Sequence, residues 1–190
     1  LAESNVQHAI VSSESESLIL VDDQDRQLGT ISKSEAHDGD GLLHRAFSLF
    51  VFNHHGELLL QQRSAEKRLW PLYWSNSCCS HPRQGETMEQ ATHRRLHQEL
   101  GISSTLNYLY RFQYQAQYLD LGSENELCSV YLGRTEDTVK VNRTEIADWC
   151  YLSFDQVNQK LLDHPEQFTP WFKLEWARIS NEFLPQLSLI

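Results

Sequence analysis

Residues 86–101 read ETMEQATHRRLHQELG, and more of the architecture follows from this stretch than from any other. Thr87 with Gln90 three residues on is a capping-box pattern. Met88, Ala91, Leu96 and Leu100 form a broken apolar stripe, and Gly101 is a residue that accepts a left-handed C-terminal stop. The spacing predicts a helix over residues 87–100. Around it the chain reads as strands. Short apolar or alternating runs occur at 18–21, 26–31, 46–52, 57–62, 106–119, 127–133 and 146–152. The runs at 46–52 and 57–62 are joined by Asn53-His54-His55-Gly56 and form a core hairpin. Residues 37–43 contain Gly39-Asp40-Gly41 and read as a loop, and residues 69–74, with Pro71, as an irregular or edge segment. Helical patterning returns at 154–162 and 171–183. The class is α+β, β-rich with one central helix and terminal helices.

The 190 residues correspond to one domain, 18–190, preceded by a Ser- and Glu-rich flexible tail at 1–17. With 26 acidic and 16 basic side chains the formal charge is -10, which disfavours general nucleic-acid binding but leaves room for a small polyanion at a local basic cluster. No apolar run reaches the ~20 residues of a membrane span, and no signal segment is expected. Cys78 and Cys79 are adjacent, an awkward start for a disulfide framework. Together with Cys128 and Cys150 they read as reduced thiols of a cytoplasmic protein. Asn142-Arg143-Thr144 fits the glycosylation triplet, a motif short enough to recur by chance.

Three further pieces carry chemistry. In Cys79-Ser80-His81 an extended backbone would point thiol and imidazole the same way, as a site or as a packed thiol beside a loop histidine. Glu124-Asn125-Glu126 places two carboxylates on one face at a strand mouth, where they repel unless solvated or held by a cation. His37 and His44 flank two glycines ahead of the core strand, a spacing that does not by itself identify ligands. Three imidazoles and two carboxylates together would suit a divalent first-row metal such as manganese or zinc.

The stretch 86–101 also resembles the Nudix box, the loop–helix motif that binds magnesium diphosphates. Glu86, Arg94, Leu96, Glu99 and Gly101 match it, while Ser80 replaces its first glycine and Arg95 and Gln98 replace two of its glutamates. Arg95 lies one helical turn before Glu99, where a cation would grip a diphosphate instead of helping water attack it. These departures come with His37, His44-Arg45-Ala46-Phe47, Asn76-Ser77-Cys78-Cys79-Ser80-His81-Pro82, Glu124-Asn125-Glu126 and Pro170-Trp171. In that combination the chain from about Leu18 onward is similar to the type I isopentenyl-diphosphate Δ-isomerases, a Nudix branch.

The resemblance implies a Nudix-like fold: a mixed central β-sheet layered with helices (an α/β/α sandwich), with extra N-terminal strands and C-terminal helices. It implies isomerisation of isopentenyl diphosphate to dimethylallyl diphosphate, in isoprenoid biosynthesis, by proton addition and removal through a carbocation-like intermediate. One divalent metal (manganese, zinc or magnesium) would be held by His37, His44, His81, Glu124 and Glu126. A magnesium ion would accompany the substrate diphosphate near Glu99 and Cys79. Glu126 with Tyr114 would deliver the proton and Cys79 remove the second. Lys33, Arg63, Lys67 and Arg95 would bind diphosphate, with Arg68 competing for the role of Lys67, and Trp171 would face the cation or simply pack in the core. The implied partner is a small-molecule diphosphate, with no nucleic acid and no membrane, and the implied state a monomer or weak dimer. The alternatives are a diphosphate hydrolase acting on a nucleotide and a non-catalytic metal-binding module.

Overall fold

In the computed structural model, which describes residues 9–187, one mixed sheet organises the chain. Ser17–Val21 (β1) and Gln27–Ser32 (β2) form an antiparallel hairpin. The single helical turn Lys33–Ala36 (α1) leads toward His44–Phe52 (β3), and Leu58–Arg63 (β4) returns from it. Two short strands follow, Trp74–Ser75 (β5) and Cys78–Ser80 (β6), then the helix Met88–Leu100 (α2). Thr105–Tyr118 (β7) and Gly122–Arg134 (β8) form a long hairpin, and Ile146–Leu152 (β9) adds to β4. Phe154–Asp163 (α3), a 3-10 turn at Pro165–Gln167, Pro170–Glu182 (α4) and Leu184–Leu187 (α5) complete the order.

β3 is the central strand. One edge pairs in parallel with β8 along its whole length, from His44 opposite Glu126 to Phe52 opposite Arg134. The other edge pairs with β1 at its start, β6 in its middle and β4 at its end. Alternate side chains divide between the two faces. Phe47, Leu49 and Val51 pack with Ala91, Leu96 and Leu100 of α2. Ala46, Phe50 and Phe52 pack with Trp171, Phe172 and Trp176 of α4. Burial on both faces explains why this strand reads as an unbroken apolar run. Each such large side chain contributes about 1.5–3 kcal/mol.

The expected helix over 87–100 forms from Met88, with Thr87 as its cap in a complete capping box, and ends on left-handed Gly101 at φ 65°. The expected 37–43 loop forms, following the α1 turn that His37 closes. One local expectation needs correction. The carboxylates of Glu124 and Glu126 lie within β8, not at its mouth, because β8 already starts at Gly122 and the reversal is made by residues 119–121. Residues 1–8 of the expected tail lie outside the described residues. Residues 9–16 have neither helix nor strand and are bonded to the domain. No described helix is long and apolar enough to cross a membrane.

Candidate active site

Strand register builds the first part of the site. β3–β8 pairing sets His44 opposite Glu126, and β7–β8 pairing sets Tyr114 opposite Glu126 on the other side. The Tyr114 hydroxyl donates to Glu126 Oε2 at 2.6 Å. His81, just past β6, brings Nε2 to 3.1 Å from Glu126 Oε1 and 3.3 Å from His44 Nε2. His44 donates through Nδ1 to the Leu42 carbonyl at 2.7 Å, which fixes the ring with Nε2 facing the cluster.

His37 arrives by a close backbone approach. Its carbonyl accepts the Ser123 N–H at 2.9 Å. Gly122 permits this, since a Cβ there would lie 2.3 Å from the His37 oxygen, and its φ of +144° also disfavours other residues. His37 Nε2 then lies 3.0 Å from Glu124 Oε2. The donor atoms of His37, His44, His81 and Glu124 fall within 4.8 Å of one another, all buried. Glu126 stands beside them, Oε1 3.8 Å from His44 Nε2. The donor set fits a divalent metal on a direct observation. Despite their short approach, His37 Nε2 and Glu124 Oε2 are buried without a hydrogen-bond partner, an unfavourable state that a shared cation would relieve. Burial alone would raise both carboxyls. The charge of His37 outweighs it and holds Glu124 at about 2, and bonds from His44 and His81 hold Glu126 well below the carboxylate range.

This cluster opens onto a cavity of about 520 Å³ that is also lined by Cys79, Tyr114 and Trp171. Burial pushes the Cys79 thiol up to about 12, against the opposing charge of Arg63. Cys79 is carried by β6 and Glu126 by β8, strands on opposite edges of β3, so the two reach the cavity from different flanks. Trp171 is buried, donates to Ser75 Oγ at 3.0 Å and meets Trp70 edge-on, yet it still forms part of the cavity wall.

Lys33, Arg63, Lys67 and Arg95 all line the same cavity. The backbone carbonyls of Trp70 and Leu69 hold Arg63 over the Trp171 ring, 5.1 Å from its centroid. Lys67 pairs with Glu145. Arg95 bonds Glu99 at 2.5 Å and Glu145 at 3.1 Å. Lys33 is lowered, first by burial and then by the charge of Lys67. Arg68 lines the cavity too, but one end of its fork is bonded to Asp38 at 2.5 Å and the Leu121 carbonyl at 2.8 Å. Glu99 stands apart from the other expected site residues. Its carboxylate is taken by Arg95 and Gln61 behind the cavity wall, because the i, i+4 spacing on α2 joins two buried opposite charges.

A NUDIX domain matches residues 42–172. Isopentenyl-diphosphate Delta-isomerases from two bacteria align over most of the chain. The one from Photorhabdus laumondii is 41% identical over 90% of this chain and 99% of its own length. The one from Pectobacterium atrosepticum is 45% identical over 86% and 91%. The chain belongs to the isopentenyl-diphosphate Delta-isomerase family. A solved protein from Deinococcus radiodurans superposes with a TM-score of 0.63 at 23% identity, covering 78% of this chain and 90% of that one. A MutT protein from Methanosarcina mazei superposes with a TM-score of 0.61 at 18% identity, covering 74% and 94%. At these identities the two structures establish the shared fold.

For this isomerase-family chain, reading the residues in order missed two parts of the cavity. Glu145 bridges Lys67 and Arg95, and burial there is outweighed by those two cations, which hold it at about 2. Residues 9–16 edge the mouth. The Ala9 carbonyl accepts from Asn142 Nδ2 at 2.7 Å, the Val11 carbonyl from Arg95 at 2.9 Å, and Ser12 donates to Glu145 at 2.8 Å. The Asn142 of the glycosylation triplet is therefore buried and used structurally. Nothing local marks these roles, since Glu145 lies 50 residues from Arg95 and 133 from Ser12.

Proposed function

We propose that the chain isomerises isopentenyl diphosphate to dimethylallyl diphosphate in isoprenoid biosynthesis, with Cys79 and the Glu126–Tyr114 pair as the acid–base groups on the two flanks of the substrate. The observation that carries this reading is one cavity that holds a thiol, a hydroxyl-bonded carboxylate, an indole wall and a basic mouth, in a chain of this family. The reaction adds a proton at the terminal methylene of the substrate and removes one from the methylene two carbons away, so no electrons change hands.

The residues divide the work. Lys33, Arg63 and Lys67 pair with the diphosphate oxygens and hold the carbon chain in place, while Arg95, whose fork is held by Glu99, Glu145 and the Val11 carbonyl, adds its positive charge at the cavity wall. Protonating an isolated alkene creates a tertiary carbocation, which needs a dry environment. The Trp171 and Tyr114 rings, 6.1 Å apart, supply faces that attract it by about 0.5–2 kcal/mol each. Glu126 begins as a carboxylate bonded by the Tyr114 hydroxyl, so the hydrogen available at this flank is the one between them. Cys79 begins as a thiol and acts as the base only after releasing its own proton to solvent at the open cavity mouth, and Arg63 is the cation whose charge favours the thiolate. The reverse reaction uses the same groups with roles exchanged. His37, His44, His81 and Glu124, with Glu126 beside them, would hold manganese, zinc or magnesium, which would supply fixed positive charge next to the Glu126 carboxyl. Magnesium would accompany the diphosphate, with Cys79 and Glu99 as its expected neighbours, although Arg95 here holds Glu99.

The test follows deuterium incorporation and isomerisation of isopentenyl diphosphate in deuterated water for the parent, Cys79→Ala and Glu126→Gln. Both variants are expected to keep the fold and lose turnover by about 10³-fold or more. An active Cys79→Ala, or phosphate release from nucleoside diphosphates with no isomerisation, would overturn the assignment.

A further inference from the structure

Behind the cavity lies a carboxyl that this chemistry does not use. Glu175 is 0% exposed. It follows Trp171 by four residues on α4, so the helix face that brings the indole to the cavity also lays Glu175 on the sheet one turn deeper. The other sheet-facing residues there, Phe172, Trp176 and Ile179, are apolar and buried. Among the described residues no cation pairs with Glu175. Cys128 Sγ lies 3.6 Å from its Oε1. Cys128 Sγ also lies 3.4 Å from Ser48 Oγ. Glu175 Oε2 is buried with no partner at all.

These neighbours reach under both reacting groups. Ser48 is the cross-strand partner of Cys79 on β6, and side chains at paired positions share a face. Cys128 stands two residues beyond Glu126 on β8, also on one face. A carboxylate sealed here without a cation would be very costly, and a neutral acid far less so. Burial accordingly holds the proton on Glu175 up to about 8. A neutral acid has one O–H to donate, and Cys128 Sγ is the acceptor at hand, with its own S–H free to donate to Ser48 Oγ.

We propose that Glu175 is a positioning residue for the isomerisation: a neutral buried acid that donates to Cys128 and through it fixes Ser48, the strand position facing Cys79. The proposal rests on the reading of Cys79 as a reacting group. The two fail separately, because Cys79→Ala tests that reading whatever Glu175 does. A Glu at this place costs stability. The unfolded carboxyl releases its proton near 4.5 while the folded one keeps it to about 8, so the native state loses ground as pH rises between those values.

The experiment compares Glu175→Gln, which keeps a neutral donor, with Glu175→Leu, which keeps apolar volume and removes it. Metal-loaded parent and variants are assayed for kcat and KM between about pH 6 and about pH 9, with urea unfolding across the same range. Glu175→Leu is expected to lose about tenfold in kcat with KM within about twofold. Glu175→Gln is expected to match the parent near neutrality. Its kcat relative to the parent should then climb as pH passes about 8, where the parent's Glu175 ionises. Cys128 and Glu126 from β8, Cys79 from β6 and Tyr110 from β7, whose hydroxyl bonds the Glu175 carbonyl, face Glu175 in parent and variant alike, and they differ between the two only through the charge that Glu175 gains when it ionises. Glu175→Gln should also gain unfolding stability over the parent as pH rises. A Glu175→Leu protein with parental kcat, a Glu175→Gln protein as slow as it, or a kcat ratio and stability difference that stay flat with pH would each overturn the proposal.

Discussion

A 2.6 Å bond joins the side chains of Tyr114 and Glu126, and in the proposed reaction that bond determines which hydrogen the carboxyl flank has to offer. Burial and the neighbouring carboxylates Glu126 and Glu124 push the Tyr114 hydroxyl well above its ordinary value, so it stays protonated beside a carboxylate that does not. Replacing Tyr114 by Phe removes the hydroxyl and leaves the ring stacked against Phe112. Steady-state kinetics should then show kcat down by about 10²-fold with little change in KM, because the diphosphate contacts lie elsewhere. An unchanged kcat would mean that Glu126 works without the hydroxyl. Cys79 illustrates the same dependence on surroundings. Its immediate neighbour Cys78 points into the apolar cluster with Leu49 and Leu96, and strand alternation alone sends one thiol to the core and the other to the cavity.

Among the elements, the hairpin of β7 and β8 meets the short turn α1 and the loop after it in close backbone approaches. Gly122 opens β8, and any side chain there would drive into the His37 carbonyl that Ser123 binds. Gly41 is similarly placed, with φ +75° and a Cβ that would lie 2.9 Å from the Ser123 oxygen. The His/Glu cluster suited to a metal therefore depends on two glycines that carry no ligand atoms. Gly122→Ala should move His37 away from Glu124, at about 1–3 kcal/mol of backbone strain. Metal analysis after dialysis should find fewer ions per chain than in the parent, with the helix signal intact. Full metal content in Gly122→Ala would show that the loop tolerates displacement.

Across the whole molecule, the net charge of -10 conceals a balance of opposite charges at the cavity mouth. Glu145, 3% exposed, lies between Lys67 and Arg95 and also receives Ser12. Burial acts to raise its carboxyl, but the two cations win and hold it at about 2, below the ordinary 4.5. The unfolded chain therefore takes up this proton first as pH falls. The contribution to stability is complete above 4.5 and disappears as pH approaches about 2. Urea unfolding measured down through that window should show a steeper loss for the parent than for Glu145→Gln. Equal slopes would remove Glu145 from the acid response.

The helix at 88–100 was legible because its cap, stripe and stop are contiguous, and β3 because burial on both faces leaves an unbroken apolar run. The family signatures were legible for the same reason, as short motifs in fixed order. What the sequence by itself determined was the set of elements and the residue types able to hold a metal, a thiol and a diphosphate. Only the tertiary structure decided that Glu126 stands between His44 and Tyr114, that Arg95 is committed to Glu99 and Glu145, and that Glu175 lies without a cation beside Cys128. Strand register, the close approach at Gly122 and the pairing of buried charges are long-range properties. They depend on which segments pack together, and no local run of side chains encodes them.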